Sequence, residues 1–210
     1  MFRLVWKDIK FNGIHVALSI IISLAASILL SYEKIDFSFM AFYLCSMITF
    51  TYIVGKACEK DERGSTMDYI KTLPLKIETI VTAKYVLAII TLLLAWLVNQ
   101  GANLLLPFLN KEPNFLKIAV LITLFGISLI YMGVFLFLYF RYGYSNAQYT
   151  IFIMLIGLFI IKSLISRNPN IISRLNANVL PKLFFVIGLT VFILSWLISS
   201  RRSIYEDKAK

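Results

Sequence analysis

Residues 37–106 read FSFMAFYLCSMITFTYIVGKACEKDERGSTMDYIKTLPLKIETIVTAKYVLAIITLLLAWLVNQGANLLL. Two apolar runs flank a charged block. The first, 37–54, is near the minimum length for crossing a bilayer as a helix, and the second, 80–106, exceeds what a perpendicular crossing needs. Hydrocarbon offers no partner to an open N–H or C=O, so each run is expected to be a helix. Working outward, further runs occur at 14–31, 115–140, 147–161 and 180–198. The expected fold class is all-α: a polytopic membrane protein of six spans forming a single domain over residues 1–210.

Composition agrees. Of 210 residues, 60% are hydrophobic and 15% charged, against about 45–50% and about 25% in a soluble domain. The mean hydropathy is +0.82. What remains outside the spans is too short for a self-contained ATPase, a dinucleotide-binding enzyme or an anchored DNA-binding module. The net charge of +10 belongs to Lys and Arg flanking the spans, and no nucleic-acid partner is expected. With the N-terminus inside, the inner segments hold 14 of the 21 Lys and Arg residues and the outer segments 7. Both termini are therefore expected in the cytosol. Cys45 lies in an apolar run and Cys58 in the charged loop, which suggests no disulfide framework. The first run ends in Ser31-Tyr32-Glu33-Lys34 without a small-x-small cleavage site, so a removed signal peptide is not expected.

Catalytic patterns are absent. The one histidine, His15, excludes a His-Glu-x-x-His zinc site and has no evident triad partner. No Gly-x-x-x-x-Gly-Lys-Ser/Thr phosphate loop occurs. No charged residue falls in the middle of a span, which weighs against a proton-coupled carrier or a carboxylate-ring channel. Asn99, Gln100 and Asn103 form a polar cluster near the outer end of the third span, a helix-end contact or a substrate contact. Ser19, Ser23, Ser27 and Ser31 recur at every fourth position of the first span. Such small-residue stripes let helices approach closely in lipid, within the chain or across a homodimer.

Two segments outside the spans stand out on the inner side. Residues 2–11 (FRLVWKDIKF) set Phe2, Val5, Trp6 and Ile9 on one side and Arg3, Lys7 and Lys10 on the other, as in a short helix lying in the headgroup zone. In 55–79, Ser65 with Asp68 three residues on begins a short helix. Met67, Ile70 and Leu73 recur on one side of it, and Leu73-Pro74 ends it. That helix either rests on the inner leaflet or docks a cytosolic partner. On the outer side, 162–179 is basic and rich in Asn.

Glu59, Glu62, Tyr69, Leu73, Pro74, Lys84 and Tyr85, together with Lys7-Asp8 in the opening segment, give the chain a resemblance over nearly its whole length. It resembles the small permeases of ABC-2-type ABC transporters. Many relatives carry Trp where this chain has Met67 or Tyr69. The resemblance implies that residues 1–13 are the elbow helix and that 55–79 is the coupling loop. It implies that Glu62, Ser65, Met67, Asp68, Tyr69, Ile70 and Lys71 contact two copies of a separate cytosolic ABC ATPase. The chain itself would bind no cofactor; ATP and Mg would sit on that ATPase. A second permease copy, identical or homologous, would complete the assembly, with Ser19, Ser23 and Ser27 at a helix or dimer interface. Membrane lipid would surround it in a bacterial cytoplasmic membrane. The implied function is export of an amphipathic substrate, such as an antimicrobial or cytolytic peptide or a lipid-like molecule. The alternatives are an ATP-independent channel or carrier and a peptide-sequestering immunity protein.

Overall fold

The computed structural model describes residues 2–32, 38–63, 76–109, 118–153, 155–156 and 179–201. No strand occurs among them. The helices are α1 (Phe2–Phe11), α2 (Gly13–Tyr32), α3 (Ser38–Phe50), α4 (Lys56–Arg63), α5 (Ile77–Leu105), α6 (Ile118–Tyr142), α7 (Tyr144–Ala147) and α8 (Val179–Arg201). A π-helical turn, Thr51–Gly55, joins α3 to α4. Among the described residues, five segments are long and apolar enough to cross a membrane: Gly13–Leu30, Met40–Arg63, Ile77–Phe108, Ile118–Tyr142 and Pro181–Arg201. They overlap the first, second, third, fourth and sixth expected runs, with ends shifted by one to three residues except for the second, which ends nine residues later than expected. Of the expected fifth run, Ala147 ends α7, Gln148 is a turn, and residues 149–153 and 155–156 are helical; 154, 157–161 and the outer segment 162–178 lie outside the described residues.

The expected loop at 55–79 begins later than the sequence suggests. The helix passes through the π turn and continues as α4 to Arg63. Lys56 and Glu59 pair at 2.7 Å, and Arg63 pairs with Glu59 at 3.1 Å, contacts that the helical spacings i, i+3 and i, i+4 bring together. Ala57, Cys58 and Asp61 form the inward face. Cys58 is therefore a fully buried core residue rather than a loop thiol.

The α3–α4 rod is the centre of the bundle, and α2 and α8 are its least buried members. Phe50 meets Tyr131 and Phe135 of α6 edge-on, with ring centroids 5.3 and 5.1 Å apart, the geometry that the ring quadrupoles favour. Hydroxyls tie the same helices: Ser46 to Ser128 at 3.0 Å and Thr51 to the Tyr131 hydroxyl at 3.3 Å. In contrast, Ile14, Leu18, Ile21 and Leu29 of α2 and Leu183, Val186 and Leu194 of α8 face outward. Outward apolar faces suit a bilayer as solvent, because every backbone polar group is already bonded within its helix.

α6 and α8 cross where neither helix has a side chain. A Cβ on Gly126 would lie 2.5 Å from the Phe184 carbonyl oxygen, and one on Gly188 would overlap the Gly126 backbone. Gly133 repeats the approach one heptad on, against Phe192 and Ser195. Gly126→Ala is expected to lower stability by about 1–3 kcal/mol, since the clash is with backbone that cannot yield. Thermal unfolding of the detergent-solubilised protein checks this. Gly101→Ala, where a Cβ meets nothing within 4 Å, is expected to leave the transition in place.

Candidate functional site

At one end of the bundle, helical spacing puts Val5, Asp8 and Asn12 on a single face, and all three are buried. The sequence places Phe2, Val5, Trp6 and Ile9 together, and the structure divides that side between the core and the outside. Val5 is buried and Ile9 packs against the core, whereas Phe2 is 79% and Trp6 67% exposed. Asp8 explains the rotation of α1, because its carboxylate is drawn inward to Lys84.

Lys84 lies two turns into α5, on the face shared with the buried Ile80, Leu87, Ala88 and Thr91. Its Nζ is 2.8 Å from Asp8 Oδ2 and 2.6 Å from Asp61 Oδ2. Lys7 completes the cluster, 3.5 Å from Asp8 Oδ1 and 3.8 Å from Asp61 Oδ1. The Lys84 side chain is 3% exposed, and those of Asp8 and Asp61 are 7% and 6% exposed. Two carboxylates and two ammonium groups cancel in charge. The arrangement is therefore a closed clamp rather than a vacant cation site. Burying these ions is unfavourable by desolvation, and only their mutual pairing offsets it.

The clamp joins three elements that are remote in sequence: α1 through Asp8, α4 through Asp61 and α5 through Lys84. Neighbouring bonds reinforce it. Lys60 Nζ donates to the Phe11 carbonyl at 3.2 Å, satisfying an orphan acceptor at the C-terminus of α1. On the far side of α5, the Tyr85 hydroxyl donates to Ser195 at 3.0 Å, and Trp196 Nε1 donates to Thr82 at 3.2 Å. The entry to α5 is thus tied to α8 as well.

Of the candidate partner-contact residues, Ser65, Met67, Asp68, Tyr69, Ile70 and Lys71 lie outside the described residues. Glu62 is described and exposed; its carboxylate accepts the backbone N–H of Tyr144 at the start of α7. Ser19, Ser23 and Ser27 are buried within the chain, Ser23 and Ser27 beside Cys45 of α3 and Ser27 beside Asn99 of α5. Ser27 Oγ lies 2.8 Å from Cys45 Sγ and donates to Asn99 Oδ1 at 3.5 Å, while Cys45 donates to the Ser23 carbonyl at 3.3 Å. Asn99 is thus a helix-contact residue. Asp8, Asp61 and Lys84 were not singled out as site residues from the sequence, where Lys84 counts as one more flanking cation. The available signal was its position on the apolar face of its own helix.

A multi-pass helical membrane protein with a charge-clamped end is the class that these observations define. The family model described as ABC-2 family transporter protein matches residues 3–205. The chain belongs to that family. Comparisons with curated proteins and with solved structures give no match.

Lys84→Met is expected to destabilise the protein by about 3–5 kcal/mol, because it strands two buried carboxylates. Adding Asp8→Asn and Asp61→Asn to Lys84→Met is expected to recover more than half of that loss. Denaturant titration in detergent, followed by tryptophan fluorescence, measures both.

Proposed function

We propose that this chain is the permease subunit of an ATP-driven exporter in a bacterial cytoplasmic membrane. It has six spans and both termini in the cytosol. Two copies, or one copy and a homologue, form the membrane pore, and two separate ATPase subunits dock from the cytosol. Those subunits bind ATP and Mg; this chain supplies no phosphate loop. Residues 64–75 contain the docking helix, with Met67, Tyr69 and Ile70 as its contact side chains. The cargo is amphipathic, a peptide or a lipid-like molecule, because the spans are apolar and aromatic and carry no charge in mid-membrane.

One observation carries this reading. Asp61 and Lys84 bracket the docking segment in sequence and pair at 2.6 Å in space. The two described helices that flank the segment are therefore pinned to each other, and the same pin holds α1. A push that reaches α4 or the start of α5 is not confined to one helix. It moves the second and third spans and the elbow together, as a mechanism that converts ATP-driven closure into reopening of a pore requires.

Expression of the tagged chain with its neighbouring genes, followed by purification in mild detergent, tests the proposal. An ATPase subunit is expected to co-purify. Ile70→Asp is expected to lower both its recovery and the stimulated ATP hydrolysis, with membrane insertion unchanged. A chain that purifies alone and shows no nucleotide-dependent activity with any ATPase subunit overturns it.

A further inference from the structure

Asp61 and Glu62 are adjacent on α4 and so project about 100° apart. Asp61 turns inward to Lys84 and Asp8. Glu62 turns to the corner between α6 and α7, and three features of that corner fit it. Gly143 has φ +88, a backbone conformation that costs glycine little and most residues much. A Cβ on Gly143 would lie 2.8 Å from Glu62 Oε1, so the carboxylate occupies the space that a side chain would need. The Tyr144 amide, which opens the next helix, donates to Glu62 Oε2. The corner is fixed on its other sides as well. The Gly143 N–H closes α6 on the Tyr139 carbonyl at 3.0 Å, and the Tyr144 ring stands edge-on to Phe135 at 6.4 Å.

We propose that Glu62 is a positioning residue of the transport cycle. Its carboxylate is a releasable latch between α4 and the α6–α7 corner at Tyr144, from which the chain leads toward the expected fifth span. The inference rests on the permease reading and deepens it. Contrast with the neighbouring clamp decides which contact releases. The Lys84 cluster is buried and multiply bonded, and separating its ions would leave charges stranded. The Glu62 contact is a charge-assisted bond at an exposed position, where water replaces a lost partner. Displacement of residues 64–75 by a docked ATPase is therefore passed rigidly to α1 and α5 through Asp61, whereas at Glu62 the connection opens. The fifth span is then freed to move against the second and third.

Three variants and one distance test this. Glu62→Ala is expected to reduce transport per ATP hydrolysed, normalised to the ATPase subunit that co-purifies, by about fivefold or more, the scale of an ordinary coupling free energy. Glu62→Gln keeps an acceptor for the Tyr144 amide and is expected to retain most of the coupling. Gly143→Val is expected to resemble Glu62→Ala. Spin labels at Arg63→Cys and Asn146→Cys, both exposed sites, report the latch directly, because the native Cys45 and Cys58 are buried and stay unlabelled. The nucleotide-free protein is expected to show one short distance. Glu62→Ala without nucleotide, and the intact complex trapped with ATP and vanadate, are each expected to show a longer and broader distribution. A distance unchanged by nucleotide in a complex that transports, or full coupling in Glu62→Ala, overturns the latch and leaves the permease reading intact. Failure of the wild-type chain to bind any ATPase subunit overturns the permease reading and the latch with it.

Discussion

Lys84, held between Asp8 and Asp61 away from water, is the constraint on which the rest of this structure depends. An ammonium group at that depth is tolerable only with both carboxylates in place. That requirement fixes the rotation of α1, the continuation of α3 into α4 and the placement of α5 beside them. A hydrophobic contact would leave these helices free to slide or turn by small amounts. A charge cluster of this kind has one satisfactory geometry, and departures from it expose an unpaired ion.

The opposite end of the bundle is held by weaker means. Ser27, Cys45 and Asn99 form a hydrogen-bonded layer between α2, α3 and α5. Cys45 to Asp61 covers about 24 Å of helix and Asn99 to Lys84 about 22 Å. The two antiparallel rods therefore keep one register from the polar layer to the charge clamp. Between the layers lies an aromatic core around Phe50, Tyr131 and Phe135. The π turn at Thr51–Gly55 sits beside that core, directly before the clamped helix. On the far flank, α6 and α8 meet through glycine at backbone distance. Strength is thus graded along the molecule, with the most costly contacts at the end where the charged residues gather.

A member of the ABC-2 transporter family with this architecture has a stiff base and softer spans. The base comprises α1, α4 and the start of α5. Two exits leave it at adjacent residues, one buried through Asp61 and one exposed through Glu62. The difference in solvent access at two consecutive positions gives a single short helix a permanent partner and a changeable one.

Much was legible in the sequence. The apolar runs had to be helices because lipid leaves a backbone no other way to satisfy its hydrogen bonds, so the all-α class and the approximate spans followed from hydropathy alone. The four-residue recurrence of Ser19, Ser23 and Ser27 marked a close helix contact, since spacing along one helix fixes which side chains share a face. What packs against that face is not a property of one helix, and only the tertiary structure assigned it to α3 and α5 of the same chain. The charges were harder still. Asp8 and Asp61 lie beside other charged residues, and although Lys84 falls on the apolar face of its own helix, no local pattern names the two distant carboxylates that meet it. Pairing across 23 to 76 positions of chain is decided by how the helices assemble. For that reason the sequence by itself determined a helical membrane protein and the approximate places of its spans, while the fold alone decided that its charged end is a buried clamp.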